Sequence, residues 1–111
     1  MRAGTGAPPR VQVALPMHLQ VLARAAPVVT VVVDDQATGP VTARRLLDAL
    51  ESVHPELRGT IRDRRSGARR AYMRYFAGGE DLSHEDPDAP LPAGVQAGGE
   101  PFRIVGAIAG G

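Results

Sequence analysis

One stretch of this chain carries the pattern of a helix three turns long, and no other does. Leu46, Leu47, Leu50 and Val53 recur at helical spacing, opposite Arg44, Arg45, Asp48 and Glu51. Thr42 stands where an N-cap belongs, and Pro55 ends the helix near His54. A doubly wound nucleotide fold needs several such helices, so that architecture is excluded. A lone amphipathic helix must bury its stripe on another element. In a chain of 111 residues, one domain's length, the economical partner is a sheet.

Strand signals flank the helix. Val11, Val13 and Leu15 alternate, and Val28 to Val33 holds five valines and one threonine. Between them, residues 16–26 form a connection with a helical turn around Leu19 and Leu22. After the helix, Leu57 and Ile61 are expected beneath its exit. Two strands are expected over 60–64 and 71–76, joined by a turn at Ser66-Gly67. Gly78-Gly79 makes a further turn, residues 83–99 form a long acidic loop, and 102–105 reads as a last strand. The expected order is β, β, α, β, β. The expected bounds are a flexible tail over 1–10, a domain over 11–105 and a flexible C-terminal tail over 106–111.

Charge and composition remove several functions. No run of about 18 apolar residues spans a membrane. Met1 to Arg10 carries Gly and Pro where a signal peptide needs an apolar stretch, so a cytoplasmic location is expected. The net charge of +1 gives no field to steer nucleic acid, although Arg58, Arg62, Arg64, Arg65, Arg69, Arg70 and Arg74 are concentrated in one stretch. That stretch reads as a solvated, salt-bridged face, with docking to an acidic partner as the functional option. His18, His54 and His84 are scattered and show no metal-ligand spacing, so no metal site is expected. Cysteine is absent, which excludes disulfides, cysteine nucleophiles and thiolate ligands. All 13 basic residues are arginine, so no side chain offers a primary amine.

The sequence closes on Gly110-Gly111, after a small-residue run from Gly106. Glycine lacks a Cβ, so a chain end built from it can enter a narrow site and adopt turns closed to other residues. Six residues extend roughly 20 Å. The valine-rich second strand, the helix segment VTARRLLDALESVHPELRG (Val41 to Gly59), the segment YFAGGEDL (Tyr75 to Leu82) and the ending AIAGG (Ala107 to Gly111) together resemble the MoaD/ThiS family of ubiquitin-like sulfur carriers. The resemblance covers about Val11 to Gly111. It implies an α+β fold, the ubiquitin-like β-grasp, with a mixed sheet and one main helix packed across it.

The resemblance also implies a function. Gly111 would be adenylated by an E1-like activating enzyme, converted to a thiocarboxylate, and used to deliver sulfur in molybdopterin, cysteine, thiamine or secondary-metabolite biosynthesis. Gly110 and Ala109 would be the slim residues behind it. The chain would bind no cofactor itself; ATP and a sulfur source would be used by the activating partner. A sulfurtransferase or acceptor synthase would be the second partner. The chain would be a protein cosubstrate rather than an enzyme, or the small subunit of a molybdopterin-synthase-like assembly. An N-terminal extension and a long Arg58 to Arg70 segment depart from the smallest members.

A docking face is expected beside the tail. If Phe102 and Ile104 point to the core, Arg103 and Val105 point outward. On the preceding strand, Arg74 marks the outer face, which would also show Tyr72 and Phe76. Two other classes fit the same residues: a ubiquitin-like modifier conjugated through Gly111, and a non-catalytic interaction module that uses only its sheet face.

Overall fold

The computed structural model describes residues 8–34 and 39–106. Its elements run in the order β1 (Arg10–Ala14), α1 (Met17–Ala23), β2 (Val28–Val32), α2 (Ala43–Val53), a 3₁₀ turn (Pro55–Leu57), β3 (Met73–Ala77), β4 (Glu80–Asp81), α3 (Ala93–Gln96) and β5 (Phe102–Gly106). The strands form one sheet in the order β2-β1-β5-β3-β4. β1 and β5 are parallel neighbours, and the other pairings are antiparallel, so the sheet is mixed as expected. β1 begins at Arg10 and β5 runs to Gly106, one residue beyond each expected domain bound.

Period-two alternation decides which side chains face inward. Val11 and Val13 of β1, Val31 of β2, Met73 and Tyr75 of β3, and Phe102 and Ile104 of β5 are all buried. α2 lays Leu46, Leu47 and Leu50 into the same core. Its start is capped as expected: the Thr42 hydroxyl accepts the Arg45 N–H at 3.2 Å, satisfying one of the orphan donors of the first turn.

Four local expectations need correction. Val53 is not part of the buried stripe; it is 64 % exposed. The helix stops there, and fully buried Leu57 and Ile61 fill this end of the core from beyond it. The connection after β1 is a helix of seven residues that buries Leu19 and leaves Leu22 exposed. The strand expected over 60–64 does not form; only an isolated bridge joins Arg62 to Arg69. There Asp63 accepts the backbone N–H groups of Arg65 and Ser66 at 2.8 and 2.9 Å, a local turn that competes with a strand ladder. Finally, the acidic loop over 83–99 contains α3, whose Val95 reaches the core.

Candidate functional site

The outer face of the sheet, opposite α2, carries the residues expected to dock a partner. Register brings four of them into one block: Arg74 pairs with Val105, and Phe76 pairs with Arg103. Tyr72, just before β3, is 49 % exposed, Val105 is 37 % exposed, and Arg103 is exposed. Phe76 is half-buried on this face and stays out of the core. The tight turn at Gly78 and Gly79 requires the positive φ values of 57° and 83° found there, and it returns the chain as β4 beside Phe76.

That return has an electrostatic consequence for Arg74. Its guanidinium forms an ion pair with Asp81 of β4. Hydrogen bonding from Ser83, then from Arg74, holds the Asp81 carboxyl well below the usual carboxylate range. Arg74 is therefore a positioned, partly neutralised cation. Arg103 stands on the same face with no ion pair among the described residues.

Ala109, Gly110 and Gly111 lie outside the described residues. The last described residue is Gly106, and its surroundings bring in residues of α1 that were not expected at the docking face. A Cβ at Gly106 would lie 2.8 Å from a ring carbon of His18, so glycine lets the imidazole of α1 rest against the end of β5. On the same helix Met17 and Val21, four residues apart, are each 70 % exposed. α1 buries only Leu19 and Ala23. The signal was present in the run MHLQVLA, which is apolar on more sides than one buried stripe requires. At the end of β5, Tyr72 and Val105 thus stand on the outer face, and His18, with Met17 and Val21 exposed on the same helix, on the opposite face. Apolar and aromatic groups flanked by arginine suit protein docking.

Most of the arginine-rich stretch has an internal task. Arg62 lies against α2, 2.9 Å from Asp48 and 3.0 Å from Glu51. Arg69 donates to the carbonyls of Ser83, Arg70 and Met73, and Arg70 to that of Gly59. Long arginine side chains here extend the short backbone pairing of the 58–70 segment, in which the Asp63 and Arg70 N–H groups donate to the Ala68 and Ile61 carbonyls. Arg58, Arg64 and Arg65 remain exposed. Among the described residues no helix is long and apolar enough to cross a membrane, and no three acidic or histidine side chains gather as metal ligands would.

No protein-family model matches the sequence, and no curated protein matches it significantly. Solved structures do match in shape. Small archaeal modifier protein 1 (SAMP1) from Haloferax volcanii superposes with a TM-score of 0.68 at 22 % identity, over 92 % of this chain and 99 % of that one. SAMP1 from Methanosarcina acetivorans gives 0.68 at 17 % identity, over 96 % and 100 %. A chain of the BexX/CysO complex of Amycolatopsis orientalis gives 0.67 at 20 % identity, over 91 % and 99 %. The fold is the ubiquitin-like β-grasp. In this β-grasp the outer-face block reaches Val105, and α1 touches Gly106 from the other face, so both lie at the same end of β5.

Proposed function

We propose that this β-grasp protein is a ubiquitin-like sulfur carrier, loaded at the Gly111 carboxylate by an E1-like adenylating enzyme. In the first step a carboxylate oxygen attacks the α-phosphorus of ATP, giving the acyl-adenylate and pyrophosphate. Sulfide then displaces AMP to give the thiocarboxylate directly; a persulfide donor would instead displace AMP to give an acyl disulfide, which a thiol of the donor protein cleaves to the thiocarboxylate while itself ending in a disulfide. The acceptor synthase takes the sulfur and returns the carboxylate. The carrier contributes neither acid, base nor nucleophile. It contributes a slim chain end, AIAGG, and a body that docks.

The observation that carries this reading is the convergence at the end of β5. Gly106 leaves the sheet between the exposed Tyr72 and Val105 on one side and the Met17, His18 and Val21 surface on the other. A partner seated there holds the body while residues 107–111, at most about 17 Å when extended, enter its active site. The absence of cysteine is compatible, because the sulfur would ride on a backbone carbonyl carbon.

A second reading is favoured by the neighbours that are themselves described as modifier proteins. The same adenylate would pass to a lysine of a target protein, giving an isopeptide bond. One experiment separates the two. The full chain is incubated with ATP, an activating enzyme and a sulfur source, with and without a lysine-bearing acceptor, and intact mass is read. The carrier gains about 16 Da, oxygen replaced by sulfur, and a chain lacking Gly111 gains nothing while melting normally. Covalent adducts with the acceptor in place of that gain would favour the modifier. No change with several competent activating enzymes would remove both.

A further inference from the structure

The two edges of the sheet are finished differently. At one edge β4 is only Glu80 and Asp81, both acidic and exposed. A short, charged edge discourages the addition of another strand. At the other edge β2 runs Val28-Val29-Thr30-Val31-Val32, with no charged residue, glycine or proline in it. None of the devices that usually guard an edge is present within it.

The backbone of β2 has free groups along that edge. In an antiparallel pair, residues that bond to the neighbouring strand alternate with residues whose N–H and C=O point away from it. The register with β1 is continuous from Arg10↔Val32 to Ala14↔Val28. Just beyond its ends, Leu15 N–H donates to the Pro27 carbonyl and Val33 N–H to the Pro9 carbonyl, both at 2.9 Å. Positions 27 and 33 therefore face β1, and Val29 and Val31 do so with them. The N–H and C=O groups of Val28, Thr30 and Val32 point away from the sheet, where no described residue bonds to them. Their side chains stand on the outer face: Val28 and Val32 are each 44 % exposed and Thr30 is exposed, while Val31 is buried.

Any extended strand could satisfy these groups, but the sequence of β2 suits one in particular. It reads the same in both directions about Thr30. A second copy turned antiparallel by a two-fold axis at Thr30 sets Val28 against Val32 of the second copy, and Thr30 against its own counterpart. These are pairs of the kind that exchange both N–H···O bonds, because the free groups sit on positions 28, 30 and 32 in both chains. The threonine hydroxyls meet at the axis, and cross-strand threonine pairs are favourable. A slip of one residue would set free groups against groups already bonded to β1, so the register is fixed.

We propose that β2 is a homodimerisation edge, where two copies pair β2 to β2 about Thr30 and join their sheets into one. The contact is isologous and uses the open edge of both chains. The edges left over are both β4, so assembly stops at two copies. β1 stands between β2 and β5, which places the interface about 10 Å from β5 by strand spacing. The proposal does not rest on the carrier reading, and its test involves no loading.

The test is sedimentation of the full chain from about 10 µM to 1 mM, beside amide hydrogen exchange over the same range. One strand pair makes a small interface, so a dimer should fill in the upper part of that range. The amides of Val28, Thr30 and Val32 should exchange fast in dilute chain and become protected as the dimer forms. Those of Val29 and Val31, bonded to β1, should be protected throughout. Thr30→Lys sets like charges opposite each other at the axis and should weaken the dimer about tenfold, while the dilute variant melts like the parent because the site is exposed. Thr30→Val keeps an uncharged β-branched pair and should dimerise within about threefold of the parent. A chain still monomeric at about 1 mM, a dimer that leaves the three amides unprotected, equal dimerisation of a folded Thr30→Lys, or growth beyond two copies would each overturn the proposal. Protection of the same amides by the activating enzyme, in a chain that stays monomeric, would assign the edge to a strand of that enzyme and overturn it as well.

Discussion

The two longer helices treat their apolar residues in opposite ways. α2 buries Leu46, Leu47 and Leu50 almost completely and turns its arginines and acids outward. α1 buries Leu19 and Ala23 but holds Met17 and Val21 in solvent, beside the strand from which the chain leaves. α2 also has a side-chain cap, Thr42, whereas α1 begins after Pro16 with none. The contrast teaches that the fold uses all that α2 offers and only part of what α1 offers. Apolar area that stability does not require, set at the exit of β5, is area available to a partner.

The contrast can be broken most forcefully at Leu47. Leu47→Ala removes a buried side chain from the helix–sheet contact and should lower stability by about 2–5 kcal/mol. Denaturant unfolding measures it, and a loss well under that range would mean that α2 does not organise the core.

A smaller effect is expected at the cap. Thr42→Ala leaves the Arg45 N–H without its acceptor and should cost about 1 kcal/mol in the same experiment. The smallest is expected on α1. Val21→Asp, at a position 70 % exposed, should change stability by no more than about 0.5 kcal/mol. If α1 docks the activating enzyme, the same variant loads sulfur slowly while melting like the parent. Normal loading would take α1 out of the docking surface, and a marked fall in melting temperature would make α1 as structural as α2.

Much of this architecture could be read before any coordinates. The alternation of Phe102, Arg103, Ile104 and Val105 placed each side chain on its correct face, because a strand allows only two. The expected strand pair around Ser66-Gly67 failed for an equally local reason. Asp63 captures two backbone donors, and arginine side chains tie the loop to α2 and to carbonyls distant in sequence. The exposed face of α1 was also missed, since an apolar run does not say which of its sides will find a neighbour.

By itself the sequence determined periodicity, capping, chain reversals and the chemistry available: one amphipathic helix, valine-rich strands, no thiol, no primary amine on a side chain, and a glycine-rich ending. Each of these depends on residues a few positions apart, or on composition alone. Only the tertiary structure decided that Arg74 would be paired with Asp81, that His18 would rest against Gly106, and that Tyr75 would bury a hydroxyl with no hydrogen-bond partner. These relations join groups brought together by the order β2-β1-β5-β3-β4, by the turn at Gly78-Gly79 and by the packing of α1 on the sheet's end. Burial and charge pairing are properties of that assembled surface, and no local pattern encodes them.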